Sequence, residues 1–151
     1  MVAHRASCFT TDAMRYAILI VYGPSFSGKT EWAKSLFKEA LEVKVGHLLD
    51  YFPDSMRKVQ RGRHDAIILD DVRDCMFFVK HQEKLQGKYD YMVEFASTPG
   101  GQCAYARDLF AIPIVATINN TTKNRHLLES DDWLSNPGNR VLLSWPVDPS
   151  A

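Results

Sequence analysis

The sequence lacks several features that would assign it to a common class of protein. It has no apolar run near the ~18 residues of a membrane-spanning helix, and it shows no internal repeat or low-complexity segment. Lys and Arg together number 18, as do Asp and Glu, so the formal net charge is zero. This balance gives no overall attraction to nucleic acid, although it leaves room for a local basic patch. The composition is typical of a soluble globular protein.

Cysteine is also scarce, with only Cys8, Cys75 and Cys103 scattered along 151 residues. Their odd number and wide spacing argue against a disulfide framework or a zinc site, and they favour reduced thiols in an intracellular protein. The length suits a single domain with its own core. We expect an N-terminal extension over residues 1–14, one domain over residues 15–146 and a short tail over residues 147–151.

One motif stands out against this plain background. It matches the pattern G-x-x-x-x-G-K-[ST] at every position and reads Gly23-Pro24-Ser25-Phe26-Ser27-Gly28-Lys29-Thr30. An apolar segment, residues 16–22, precedes it, and a helical pattern follows it. This is the strand–loop–helix context that a phosphate-binding loop requires.

The residue types of this motif fit the chemistry of phosphate binding. Its glycines allow backbone N–H groups to turn inward toward phosphate oxygens, next to the start of a helix. Lys29 is expected to reach the β- and γ-phosphates, and the Thr30 hydroxyl to bind Mg²⁺. The alternative is an ordinary glycine-rich turn. The motif predicts a site for a nucleoside triphosphate, with ATP and Mg²⁺ as the expected ligands.

The remaining pattern predicts an α/β fold. Apolar runs at residues 66–69, 112–118 and 141–145 are typical of strands buried on both faces, as in a parallel sheet. Helical patterns cover residues 72–86 and 124–134, and residues 89–95 and 102–107 suit a β-hairpin. The helix after the loop has an apolar stripe of Trp32, Ala33, Leu36, Phe37, Ala40 and Leu41. Together these patterns predict a mostly parallel sheet flanked by helices.

Two acidic residues, Asp70 and Asp71, end the apolar run at residues 66–69. A magnesium ion at the phosphate loop needs a carboxylate from a neighbouring strand. We assign Asp70 to the metal and Asp71 to the attacking water. The alternative is that Asp71 caps the helix predicted to start at Val72.

Two further residues are candidates for the same site. Asn119 ends a buried strand, where its amide could hold the attacking water or contact the γ-phosphate, or could simply cap a turn. Arg140 precedes the last strand and could reach the nucleotide of a neighbouring subunit as an arginine finger. An ordinary surface role for Arg140 is the alternative.

Taken in order, these segments resemble the superfamily 3 helicase domain of replication-associated (Rep) proteins from circular single-stranded DNA viruses, especially the geminivirus-like ones. The resemblance spans residues 20–145. It rests on the phosphate loop with its helix, on Ile67-Ile68-Leu69-Asp70-Asp71-Val72 as the Walker B motif, and on Ile114-Val115-Ala116-Thr117-Ile118-Asn119 as the sensor motif. Residues 88–107 are similar to the hairpin between these two motifs, and Arg140 lies where the family has its arginine finger.

The resemblance implies a compact AAA+-like ATPase that assembles as a ring around single-stranded DNA and acts as a helicase in DNA replication. In a eukaryotic host it implies a nuclear location. Lys88 and Arg107 match basic positions of the DNA-contacting hairpin. The chain departs from the family pattern because the hairpin segment Val93-Glu94-Phe95-Ala96-Ser97 lacks the usual lysine. The resemblance also leads us to expect a nickase domain ahead of the ATPase, and residues 1–14 carry no such motif. Loss of a phosphate contact would weaken DNA binding.

Two alternatives to a helicase follow. The first is a nucleotide-gated module that binds ATP and assembles or docks a partner without unwinding. The second is a small phosphate-loop kinase, in which the basic residues between Arg57 and Arg63 would form the lid.

Overall fold

The computed structural model describes residues 17–24, 27–60, 62–85, 92–95, 105–108 and 112–145. Its strands are β1 (Ile18–Gly23), β2 (Ala40–Gly46), β3 (Ala66–Val72), β4 (Met92–Phe95), β5 (Tyr105–Asp108), β6 (Ile114–Asn119) and β7 (Arg140–Ser144). Its helices are α1 (Lys29–Ser35), α2 (Met76–Lys80), α3 (Gln82–Leu85) and α4 (Thr122–Ser130), with a 3₁₀ helix at Asp54–Lys58. The predicted extension at 1–14 and tail at 147–151 lie outside these residues.

The main sheet has five strands in the order β2-β3-β6-β1-β7, and every pairing in it is parallel. Strands β4 and β5 form a separate antiparallel pair. The structure therefore confirms the α/β class and the mostly parallel sheet. It also confirms an antiparallel strand pair, β4–β5, in the part of the chain that follows β3 and precedes β6. Parallel strands covered on both faces explain the unbroken apolar runs of β1, β3 and β6.

Helices cover both faces of this sheet. The chain moves along the sheet in one direction from β1 to β2 and in the other from β6 to β7. Because such crossovers are right-handed, α1 and α4 must lie on opposite faces. Ala33 of α1 belongs to one core cluster with Leu19, and Leu128 of α4 belongs to the other with Ile18 and Ile20. The alternation of side chains along β1 thus feeds two cores.

The helix that follows the phosphate loop is shorter than predicted. It ends at Ser35, and Ala40 and Leu41 belong to β2 instead of the helical stripe. The carboxylate of Asp65 accepts the N–H groups of Lys38, at 2.8 Å, and Glu39, at 3.0 Å. These backbone groups are therefore bonded outside a helix, and the chain turns into β2.

The predicted helix over residues 72–86 is also wrong at its start. Val72 is the last residue of β3, and α2 begins only at Met76. Asp74 accepts the N–H of Met76 at 2.9 Å, and the side chain of Asn124 accepts the N–H of Cys75 at 3.1 Å. These bonds satisfy the backbone N–H groups of Cys75 and Met76 in the turn between β3 and α2. A break at His81 then separates α2 from α3.

The strand pair β4–β5 packs on the segment after β2 through aromatic rings. Phe95 stacks on Tyr105 with ring centroids 5.5 Å apart and meets the edge of Phe52 at 4.7 Å. The Tyr105 hydroxyl donates to the carbonyl of Pro53 at 3.4 Å. Among the helices that the structure describes, none is long and apolar enough to cross a membrane.

Candidate functional site

A cavity of about 430 Å³ opens at the carboxyl edge of the sheet. It is bordered by the phosphate-loop motif and by the ends of β2, β3 and β6. This edge is where parallel α/β sheets bind their ligands. The lining residues are Ser27, Gly28, Lys29, Thr30, Glu31, Lys44, Asp70, Asp71, Arg73, Thr117 and Asn119.

The lysine of the motif is buried within the bend of the loop. The side chain of Lys29 is mostly shielded, with 7% relative exposure for the residue. Its Nζ donates to the carbonyl of Gly23 at 3.1 Å and to that of Pro24 at 2.5 Å. Burial lowers the pKa of Lys29, and the carboxylates of Asp71 and Asp70 act against that shift. The ammonium is therefore bonded to loop carbonyls at the edge of the cavity, where the two carboxylates favour its charged form.

The loop is held from behind by the end of β7. The indole Nε1 of Trp145 donates to the carbonyl of Ser27 at 2.7 Å. The backbone N–H of Trp145 donates to the backbone carbonyl of Tyr22, also at 2.7 Å. A Cβ added to Gly23 would lie 2.2 Å from the Trp145 carbonyl oxygen. The first glycine of the motif is therefore needed for this close approach. Sequence reasoning missed Trp145, because a tryptophan at the end of an apolar run indicates core packing.

Asp70 is aimed at the threonine of the motif. The Thr30 hydroxyl donates to Asp70 Oδ1, and the Thr117 hydroxyl donates to the same oxygen at 3.1 Å. Thr30 and Asp70 together offer the oxygen ligands that Mg²⁺ prefers. The structure therefore brings together the two residues predicted to hold the metal.

Asp71 enters the cavity through an irregularity of β3. Leu69 pairs with Ala116 and Val72 with Ile118, so β3 has one residue more than β6 across this interval. Asp71 has φ of 55°, and its N–H donates to the Thr117 hydroxyl at 2.9 Å. A bulge of this kind redirects side chains and is common beside functional sites. Because the next helix starts five residues later, at Met76, the alternative in which Asp71 caps it is wrong.

Asn119 lies directly beside the loop. It pairs with Gly23 across β6 and β1, and the N–H of Asn120 donates to the Gly23 carbonyl at 3.1 Å. The fully buried Asn124 donates through Nδ2 to the carbonyl of Asn119 at 3.1 Å and to that of Arg73 at 3.3 Å. Asn124 thus ties the ends of β3 and β6 together. No sequence pattern indicates this role, since an asparagine in a first helical turn is expected to face water.

Three charged lining residues were not predicted from the sequence: Glu31, Lys44 and Arg73. Arg73 is the most informative of them, because its Nε donates to Asp71 Oδ2 at 3.1 Å. Its Nη1 also lies 3.5 Å from His47 Nε2. A single arginine two residues after an acidic pair has no motif to reveal it.

Arg140 does not line the cavity of its own chain. It pairs with Ile18, at the amino end of β1, and Gly23 lies five residue steps of about 3.3 Å each farther along that strand. Its Nε donates to the carbonyl of Leu134 at 2.8 Å. The role of Arg140 toward a neighbouring subunit stays a prediction.

Several other predicted site residues fall outside the described part of the chain. Ser25 and Phe26 of the loop and Lys88 of the hairpin are among them. The backbone of Arg107 lies in β5, opposite Val93, but its side chain is not among the described ones. The proposed contacts of Lys88 and Arg107 with nucleic acid therefore remain predictions.

The described residues contain no group of three or more His, Cys, Asp or Glu side chains placed to hold a metal ion. Comparison with known proteins adds no relative: no protein-family model matches this sequence, and curated proteins give no significant match. The function must therefore be argued from the site and from the order of its motifs.

Proposed function

We propose that this protein is a magnesium-dependent ATPase of the phosphate-loop class. The observation that carries the proposal is the convergence of Lys29 and Thr30, from the loop, with Asp70, Asp71 and Asn119, from two strand ends, around one cavity. These residues come from three separate segments of sequence. Each of them has a side chain suited to the role that we propose for it in nucleotide hydrolysis.

The site fits a magnesium-bound polyphosphate by three criteria. The cavity of about 430 Å³ falls within the range of roughly 300–1,000 Å³ typical of small-molecule sites. Lys29 brings a buried cation whose partners are loop carbonyls, and an ammonium can exchange such neutral partners for phosphate oxygens. Thr30 and Asp70 present a hard-oxygen donor pair, with water and phosphate oxygens expected to complete the six ligands of Mg²⁺.

Each residue has a distinct role in the proposed reaction. Lys29 would neutralise charge that develops on the phosphate oxygens. Thr30 would bind Mg²⁺ directly, and Asp70 would bind it directly or through a water. Asp71 would accept a proton from the attacking water, and the amide of Asn119 would orient that water. Bound Mg²⁺ would supply electrophilic stabilisation of the transferred phosphoryl group.

Coupling to single-stranded DNA extends the proposal to a helicase of the Rep superfamily 3 type. It is supported by the parallel sheet, by an antiparallel strand pair between β3 and β6 in sequence, and by the resemblance of the motifs. In this proposal subunits form a ring around the strand, and the hairpin with Lys88 and Arg107 contacts its phosphates. RNA is the alternative polymer.

The test is ATP hydrolysis by wild type and by Lys29→Ala, with and without single-stranded DNA, at two salt concentrations. We expect Mg²⁺-dependent turnover that rises with DNA, loses this stimulation at high salt and disappears in Lys29→Ala. Lys34→Ala is the matched control, because Lys34 lies on the same helix but is not among the lining residues; its ammonium pairs with Glu42 at 2.8 Å and with Glu31 at 3.6 Å. Turnover that is equal in Lys29→Ala and wild type would refute an ATPase at this site.

A second candidate is a nucleotide-gated binding module that does not unwind DNA. Two observations favour it: Arg140 is bound to Leu134 away from the cavity, and Asp71 is paired with Arg73 instead of being free to accept a proton. This module would bind nucleotide and assemble in response to it, with negligible strand separation. Rapid unwinding of a duplex in the presence of ATP would eliminate it.

A further inference from the structure

We propose that Arg73 is the residue that distinguishes a nucleoside triphosphate from a diphosphate in this cavity. Its guanidinium would exchange Asp71 for the terminal phosphate, which frees Asp71 to accept a proton. The inference rests on the proposed function. It assigns to an arginine of the same chain a contact that the sequence assigned only to Arg140.

The backbone of Arg73 is fixed on both sides. Its N–H donates to the carbonyl of Gly46 at 3.1 Å, and its own carbonyl accepts from the buried Asn124 at 3.3 Å. The residue therefore starts from a firm position beside Asp71, and only its side chain has to move. Among the described residues, Arg73 is the one arginine that lines the cavity.

The side chain is held loosely enough to move. The side chains of Arg73 and Asp71 are 47% and 39% exposed, and ion pairs with such access to water are weak. The Nε of Arg73 donates to Asp71, and the contact between Arg73 Nη1 and His47 Nε2 is long, at 3.5 Å. A guanidinium has five N–H donors in a planar fork that matches phosphate oxygens, so donors remain for a phosphate.

The exchange also explains why Asp71 is paired at all. An exposed carboxylate next to the position of the γ-phosphate would repel that phosphate, and Arg73 screens it. When the guanidinium turns to the γ-phosphate, Asp71 loses this partner. Because only a triphosphate carries a γ-phosphate, the loss occurs only while a triphosphate is bound. Proton acceptance by Asp71 is thereby restricted to the bound state that can be hydrolysed.

The test measures equilibrium affinity for ADP and for the non-hydrolysable triphosphate AMP-PNP, both with Mg²⁺. We expect Arg73→Gln to weaken AMP-PNP binding about tenfold, equivalent to ~1.4 kcal/mol, and to change ADP binding by less than about twofold. Arg73→Lys keeps the positive charge without the planar fork of donors, so its affinity for AMP-PNP should lie between those of wild type and Arg73→Gln. Arg63→Gln is the matched control, because Arg63 forms an exposed pair of similar geometry with Glu39, at 3.2 Å, outside the cavity.

The double variant Asp71→Asn/Arg73→Gln separates phosphate binding from simple screening of Asp71. If Arg73 contacts the terminal phosphate, the double variant stays impaired toward AMP-PNP. If its preference for AMP-PNP returns to the wild-type value, Arg73 only screens Asp71 and the inference is wrong. An unchanged preference in Arg73→Gln also overturns it while leaving the proposed function intact. Failure of wild type to bind either nucleotide would instead remove the proposed function, and this inference with it.

Discussion

At the scale of single residues, Asp71 combines backbone strain with a functional position. Its φ of 55° lies in the left-handed region, which costs most L-residues roughly 1–2 kcal/mol and costs Asp and Asn less. The hydrogen bond from its N–H to Thr117 and its ion pair with Arg73 offset part of that cost. Strain retained beside a cavity is typical of sites selected for chemistry.

Substitutions at Asp71 separate the strain from the chemistry. Asp71→Asn keeps a side chain that tolerates this backbone, whereas Asp71→Val places a β-branched residue there and should lower the free energy of unfolding by about 1–2 kcal/mol. Both remove the proposed proton acceptor and should slow hydrolysis by about 10²–10⁴-fold. Chemical denaturation and ATPase assays measure the two effects. Full activity in Asp71→Asn would contradict the role assigned to Asp71.

Two glycines of the loop make opposite demands. Gly23 meets the backbone of Trp145, where an added Cβ would lie 2.2 Å from a carbonyl oxygen, while Gly28 has open space but φ of 87°. We expect Gly23→Ala to reach or exceed the upper end of the roughly 1–3 kcal/mol typical of overpacking. Gly28→Ala should cost only about 1–2 kcal/mol of conformational strain. Urea unfolding of both variants checks the ranking, and the reverse order would contradict the contact with Trp145.

At the scale of helices and strands, sequence reasoning worked where local pattern and packing agree. The apolar runs of β3 and β6 could be predicted, together with the polar residues that end them, because strands buried on both faces are apolar at nearly every position. The end of α1 was not readable, because it depends on Asp65, which bonds Lys38 and Glu39 from 27 and 26 positions away.

The same distinction holds within the site. Asp70 could be predicted because it directly follows the apolar run at residues 66–69 in a chain that also carries the phosphate-loop motif. Arg73, Asn124 and Trp145 were missed because each acts through a partner distant in sequence or through a bulge. Asn124 contacts the Arg73 carbonyl from 51 positions away, and Trp145 reaches Ser27 from 118. No local periodicity records such contacts.

His81, at the break between α2 and α3, should make the stability of the protein depend on pH. His81 is buried, with its Nε2 2.7 Å from the carbonyl of Leu49 and its ring 4.7 Å from that of Phe52. Burial is the main cause that lowers the pKa of His81, and Lys84 and Lys80 lower it further against Leu49 and Asp50. The unfolded chain therefore binds a proton at higher pH than the folded one. Stability should fall as pH drops below about 6.5, the usual histidine pKa.

Urea unfolding at pH 7.5 and 5.5 tests this expectation for wild type and His81→Gln. The variant keeps a hydrogen-bond donor but cannot titrate, so it should lose less stability on acidification than wild type. His126→Gln, on the exposed face of α4, should behave like wild type. Equal losses in wild type and His81→Gln would show that His81 remains uncoupled from folding.

At the scale of the whole molecule, the site exists only when the sheet is assembled. Thr30 and Asp70 are 40 positions apart in sequence. They meet across the end of β6, which lies between β1 and β3 in the sheet and whose Thr117 donates to the same carboxylate oxygen. Arg140 lies at the amino end of β7, whereas the cavity lies at the carboxyl ends of the strands. Any contact of Arg140 with nucleotide therefore requires a second subunit. A ligand that joins these strand ends must therefore stabilise the whole fold, by an amount set by its affinity and concentration.

Thermal unfolding with and without Mg-ATP is the most direct test that this cavity binds a magnesium-bound triphosphate. At a ligand concentration on the order of 100 times Kd, the free energy of unfolding of wild type should increase by ~2.7 kcal/mol. Lys34→Ala should gain as much, and Lys29→Ala should gain almost nothing. Equal stabilisation of Lys29→Ala and wild type, or none in wild type at millimolar Mg-ATP, would contradict the account.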